Sequence, residues 1–125
     1  MGSSLQNLRF ITMSEFTFMF RGRETSQSRE QQQQCTAKWT AWFRELSAKG
    51  HLKEPGHPLV DTGRVISSRK RIVSDGPFAE AKDIIGGYAV IVAADLNEAA
   101  ELAKGCPILE VDGSVEVREL LTLGI

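Results

Sequence analysis

Excess charge of one sign, long apolar runs and cysteine are what this 125-residue chain has least of. Its 15 Lys and Arg residues nearly cancel its 16 Asp and Glu residues, leaving a net charge of −1. A general nucleic-acid binder carries a basic excess, so direct nucleic-acid binding is not expected. No apolar stretch approaches the roughly 20 residues that span a bilayer, so no membrane role is expected either. The start of the chain has Arg9 as its only charged residue and lacks the charged-then-apolar order of a secretion signal. The only two cysteines, Cys35 and Cys106, fall on different expected elements. They read as free thiols of a cytoplasmic protein, with a disulfide as the alternative. The length suits one domain and is too short for two ordinary ones.

What the chain does have is periodicity. Phe16, Phe18 and Phe20 alternate with Thr17, Met19 and Arg21, the period-two pattern of a strand with one deeply buried face. Gln31 to Gln34 open a polar run, but Cys35, Trp39, Trp42, Phe43 and Leu46 continue it at i, i+4, i+7, i+8 and i+11. That is one helical face. Ser28 with Gln31 suits a capping box and Gly50 suits a stop, so a helix is expected over about residues 28–49. The prolines and glycine of 54–58 predict a loop. Residues 60–66 and 70–74 read as two short strands with a turn at 67–69. The apolar run 87–94 reads as a central strand. Asp95 with Glu98 caps a second helix over 95–104, with Leu96, Ala99, Ala100 and Ala103 as its buried face. Gly105 and Pro107 end it, and 114–120 form the last strand.

The resulting order is α+β and ferredoxin-like, βαββαβ with an added β-hairpin. Its antiparallel sheet carries both helices on one face. The other face also holds apolar side chains, so it needs a partner.

One stretch is more specific than the rest. Asp75-Gly76-Pro77-Phe78-Ala79-Glu80 is followed by Lys82 and by Gly86-Gly87-Tyr88. Asp-Gly-Pro is turn chemistry between two strand-like runs. This run resembles the DGPF motif of the YCII-related family. Further landmarks occur in order: Arg21 ending the first strand, Trp39 and Trp42, Thr62-Gly63, Gly105-Cys106-Pro107, and Glu116-Val117-Arg118. The resemblance covers roughly residues 13–122. It marks Met13 as the usual start of the domain, leaving 1–12 as a weakly ordered leader and 13–125 as a single domain. It implies the dimeric α/β-barrel superfamily, in which two subunits pack sheet against sheet as a homodimer. Related members look like small enzymes with a proposed His–Asp pair, and some occur fused to, or encoded near, sigma factors. In them the histidine lies near the start of the first long helix. Residues 25–34 hold none here, and His51 and His57 come after that helix. A His–Asp mechanism is therefore not carried over.

Each candidate residue has a chemical and a structural reading. Asp75, at a strand end, is the candidate catalytic base if partly buried; otherwise its carboxylate caps the turn. Arg21 and Arg118 are candidate ligand-binding residues for an anionic group, or ion-pair partners. Glu116 can pair with either, and alternation sets Glu116 and Arg118 opposite Val115 and Val117. Tyr88 is a candidate ligand contact, or a strand-edge aromatic with a satisfied hydroxyl. Lys82 reads as a solvated charge, and Cys106, at a helix C-terminus, as a structural thiol. Trp39 and Trp42 line a ligand pocket or fill the core. Gly86-Gly87 lacks nucleotide-loop spacing, and Glu54, His51, His57 and Asp61 match no zinc pattern, so neither cofactor nor metal is expected. The function expected is cofactor-independent acid–base chemistry on a small metabolite. The alternative is a non-catalytic dimeric module that binds a ligand or a protein and is linked to transcription regulation.

Overall fold

The computed structural model describes residues 13–22, 28–77 and 83–122. The expected leader over 1–12, and Phe78 to Lys82 of the motif, lie outside the described residues. In chain order the elements are β1 (Ser14–Arg21), α1 (Arg29–Ala48), β2 (Leu52–Pro58), β3 (Gly63–Ser67), β4 (Ile72–Gly76), β5 (Ile85–Ala93), α2 (Leu96–Ala103), a 3-10 turn (Pro107–Val111) and β6 (Ser114–Glu119). Four strands form one antiparallel sheet in the order β2-β5-β1-β6, and β3 and β4 form a separate hairpin. Without the hairpin this is the ferredoxin-like βαββαβ arrangement that the sequence predicts.

β1 is the centre of the sheet. Its register sets Phe18 between Ala89 of β5 and Val117 of β6. Phe16, Phe18, Phe20, Ala89, Ile91 and Ala93 are buried on the helix side. Phe16, Phe18 and Ile91 are fully enclosed, each contributing about 1.5–3 kcal/mol of apolar burial. α1 supplies the cover. Its capping box forms as the sequence predicts: the Gln31 N–H donates to Ser28 Oγ at 3.1 Å, and the Ser28 N–H donates to Gln31 Oε1 at 2.9 Å. Trp42 stacks on Phe18 with centroids 6.0 Å apart and an interplanar angle of 12°. Trp42 and Leu46 are buried, and Trp39 and Phe43 pack half-buried beside them. His51 is also buried, its Nδ1 2.8 Å from the Val92 carbonyl oxygen. It joins the end of α1 to β5 and has a structural place.

Four local expectations change. Residues 54–58 are strand, not loop. β2 lies at the edge of the sheet, where a proline removes no bond from a neighbour, and its register slips between Leu52 and Glu54 and between Glu54 and His57. The bulge absorbs Pro55 and Gly56. The hairpin ladder begins later than 60, at Gly63 opposite Gly76, and ends at Ser67 opposite Ile72. Its turn occupies 68–71, where Ser68 and Arg71 take positive φ. In α2 the Asp95 cap forms, with the Glu98 N–H donating to Oδ1 at 2.8 Å. The contact stripe, however, is Ala99, Leu102 and Ala103; Leu96 stays 54% exposed and Ala100 is exposed. The 3-10 turn after Pro107 was not legible as an element and buries Pro107 and Ile108.

Among the described residues, no helix covers the second face of the sheet. Thr17, Met19, Val90 and Val92 lie on it half-buried, with Tyr88 37% exposed. A lysine–glutamate pair, Lys53–Glu15, and the cluster Arg21–Glu116–Arg118 flank this apolar strip. No helix among the described residues is long and apolar enough to cross a membrane.

Candidate functional site

β1, β5 and β2 meet at one end of the sheet: Phe20 pairs with Gly87, and Gly87 with Pro58. α1 starts at that same end, so its first half overhangs these strand ends. A cleft of about 480 Å³ lies between them. From α1 it is lined by Cys35, Thr36, Trp39, Thr40 and Phe43. From the sheet it is lined by Phe20, Gly86, Gly87, Tyr88, Pro55 and His57, and from the loop after β2 by Leu59 and Asp61. The volume falls in the range of small-molecule pockets, which are mostly apolar with a few placed polar groups.

The aromatic wall is ordered by its own contacts. Phe20 meets Trp39 edge-on at 4.9 Å, and Trp39 lies 5.9 Å from Phe43. Trp42 braces Phe43 from the core at 5.2 Å. Rings held by other rings lose little further freedom when a ligand arrives, which lowers the cost of binding. The rim is held differently. The Leu59 N–H donates to the Gly86 carbonyl at 2.9 Å and the Gly22 N–H to the Ile84 carbonyl at 2.8 Å, which ties the loop after β2 and the end of β1 to β5. His57 sits opposite Tyr88 in the ladder, with ring centroids 6.3 Å apart. Its ring makes no hydrogen bond to another described residue.

The residues singled out in the sequence do not come together here. Of the candidates, Trp39 lines the cleft from α1, and Tyr88 borders it at the strand end, with its side chain set on the helix-free face by alternation with Gly87 and Ala89. Asp75 stands on the hairpin opposite Arg64, with which it forms an ion pair at 3.1 Å; its side chain is 92% exposed. That is the geometry of a solvent-facing ion-pair partner. Arg21 and Arg118 lie on the helix-free face and both engage Glu116. Arg21 does so at 2.9 Å while also donating to the Asp83 carbonyl at 2.8 Å, and Arg118 does so at 3.2 Å. The Arg118 and Arg21 guanidinium groups hold the Glu116 carboxyl below its ordinary value. Cys106 is 2% exposed, and burial pushes its thiol up to about 12. It is a core residue.

The residues that the sequence reading passed over are His57 and Asp61. Asp61 appeared there only in a segment without zinc spacing, and His57 there and as a histidine placed too late in the chain for the His–Asp pair. Their signal was position: both flank the bend at which β2 hands the chain to the hairpin, and loops after strand ends are where sites are built. A family model described as the YCII-related domain matches residues 15–123. No curated protein matches the chain. The chain belongs to the YCII-related family.

Proposed function

We propose that this YCII-related protein binds a small molecule in the cleft between α1 and the end of the sheet, and that it does so as a homodimer joined through the helix-free sheet face. The observation that carries the reading is the aromatic wall of Phe20, Trp39 and Phe43 facing a rim with only a few polar side chains. The dimer is supported by the strip of Thr17, Met19, Tyr88, Val90 and Val92, since a sheet face with apolar side chains is stable when a second layer covers it.

Acid–base chemistry in this cleft falls to His57 in this reading. Among the described residues, His57 is the one imidazole that borders the cleft, opposite Tyr88 in the ladder. Asp75, exposed and ion-paired on the hairpin, is not part of the proposed machinery. The non-catalytic reading uses the same cleft without proton transfer.

The test is a ligand-observed NMR screen of small aromatic and aliphatic fragments against the wild-type chain and against Thr40→Trp. Thr40 is exposed on α1 and lines the cleft, so an indole there fills the space without entering the core. Fragments that bind wild type and lose binding to Thr40→Trp are the expected result. Fragments that bind both proteins equally would remove the cleft from the account.

A further inference from the structure

We infer that the β3–β4 hairpin is a docking arm for an acidic peptide, which adds to it as a third strand. β3 and β4 pair with each other from Gly63–Gly76 to Ser67–Ile72 and with no other described strand. The outer edge of each therefore presents backbone N–H and C=O groups to a newcomer. A two-stranded hairpin alone is marginal in water and gains from a third strand. Alternation gives this one a solvent-facing side. Ile66 lies opposite Val73 in the register, 63% and 61% exposed, next to the Arg64–Asp75 pair. Native edges that carry exposed aliphatic side chains are kept from solvent by a covering element, and none of the described elements covers this one.

The tip supplies the sign of the partner's charge. Residues 63–74 hold Arg64, Arg69, Lys70 and Arg71 and no acidic residue, in a chain whose net charge is −1. Asp75 engages Arg64, and no carboxylate among the described residues pairs with Arg69, Lys70 or Arg71. The turn fixes where these cations stand. The Arg71 N–H donates to the Ser68 carbonyl at 3.1 Å, the Lys70 N–H to Ser68 Oγ at 3.2 Å, and the Arg71 guanidinium to the Arg69 carbonyl at 3.1 Å. An extended peptide along either edge sets alternate side chains beside Ile66 or Val73 and runs its acidic end to this tip. Other occupants fit less well. Three cations neutralise few phosphates and an aliphatic strand face reads none, which disfavours nucleic acid. The tip, Ser68 to Arg71, has no apolar side chain to enter a bilayer. The base of a second hairpin offers Asp75, which Arg64 already holds.

The test is fluorescence anisotropy on the full chain, with a labelled peptide in which a run of glutamates is followed by alternating valine and threonine. Saturable binding is expected, about tenfold tighter than that of the same peptide with lysines in place of the glutamates. Arg69→Glu with Lys70→Glu, both exposed at the turn, should reverse that order, while Ile66→Thr should weaken both peptides. Hydrogen exchange of the amides of 63–67 and 72–76 should slow when the acidic peptide is bound. No saturation by the acidic peptide below about 1 mM overturns the inference. So does equal binding to the charge-reversed tip, or saturation that leaves those amides unprotected. Tighter binding of duplex DNA or of phosphatidylserine vesicles than of the peptide overturns it in favour of those partners. A molar mass by light scattering that falls in the charge-reversed variant overturns it in favour of a second copy of the chain.

Discussion

Replacing Gly56 with alanine should cost far more than replacing Gly50, although both residues have positive φ. At Gly50, φ is +77° and an added Cβ meets nothing within 4 Å. The cost there is the left-handed backbone alone, about 1 kcal/mol. At Gly56, φ is +66°, and the added Cβ runs into the Tyr88 carbonyl, overlapping its oxygen and reaching its carbon at 2.7 Å. Neither atom belongs to a flexible side chain. Relief requires β2 to move away from β5 at the bulge, next to the His57–Tyr88 and Pro58–Gly87 pairs. Forced backbone shifts of this kind cost about 1–3 kcal/mol. Added to the backbone strain, the total is about 3 kcal/mol, so the two variants differ by about 2 kcal/mol. With a urea m-value of about 2 kcal/mol/M, their unfolding midpoints at equal protein concentration should differ by about 1 M. Because Pro55 and His57 line the cleft, Gly56→Ala should also weaken any ligand that Gly50→Ala leaves unaffected. Equal midpoints for the two variants would refute the argument that the β2 bulge is held against Tyr88.

Trp42→Ala should destabilise the chain by about 3–5 kcal/mol in the same urea assay, since it removes the ring stacked on Phe18 and leaves a cavity at the centre of the core. Native protein at pH 8 should react with a thiol reagent at Cys35 well before Cys106, read by peptide mass mapping. The unfolded Cys106 thiol ionises from its ordinary 9.0 and the folded one only near 12, so its share of stability is whole below pH 9.0 and is lost as pH rises through that window; Cys106→Ala should flatten the alkaline limb of the stability profile. Glu116 behaves in the opposite sense. Its folded carboxyl is held below 4.5, so its contribution is present above that pH and lost as pH falls through the folded value, and Glu116→Gln should lose less stability between pH 5 and 3 than wild type. Met19→Lys on the helix-free face should shift the molar mass seen by light scattering from dimer to monomer while leaving the far-ultraviolet spectrum intact.

Much of the scaffold was readable because its signals are local. The Phe16-Phe18-Phe20 alternation, the Ser28–Gln31 capping box and the Asp95 cap each need only a few neighbouring residues, and each appears as expected. β2 was not readable because Pro55 and Gly56 are loop residues by propensity, and only pairing with β5 at a bulge makes them strand. The Arg21–Glu116–Arg118 cluster was partly readable: alternation put Glu116 and Arg118 on one face, and the antiparallel register brought Arg21 to them. The site was the least legible part. Asp75 carries the most specific motif, yet the Arg64–Asp75 register of the hairpin turns its carboxylate to solvent. His57 and Asp61 join Trp39 only through three strand ends and a helix overhang, a relation that no short stretch of sequence contains.

The most direct test of the ligand cleft uses the chain's two tryptophans. Protein labelled with 5-fluorotryptophan gives one fluorine signal for Trp39, which lines the cleft, and one for Trp42, which is 6% exposed beneath it. Assigned by Trp39→Phe and titrated with the fragments that bind, the Trp39 signal should move with saturation and the Trp42 signal much less. Saturable binding that leaves the Trp39 signal in place would contradict the account.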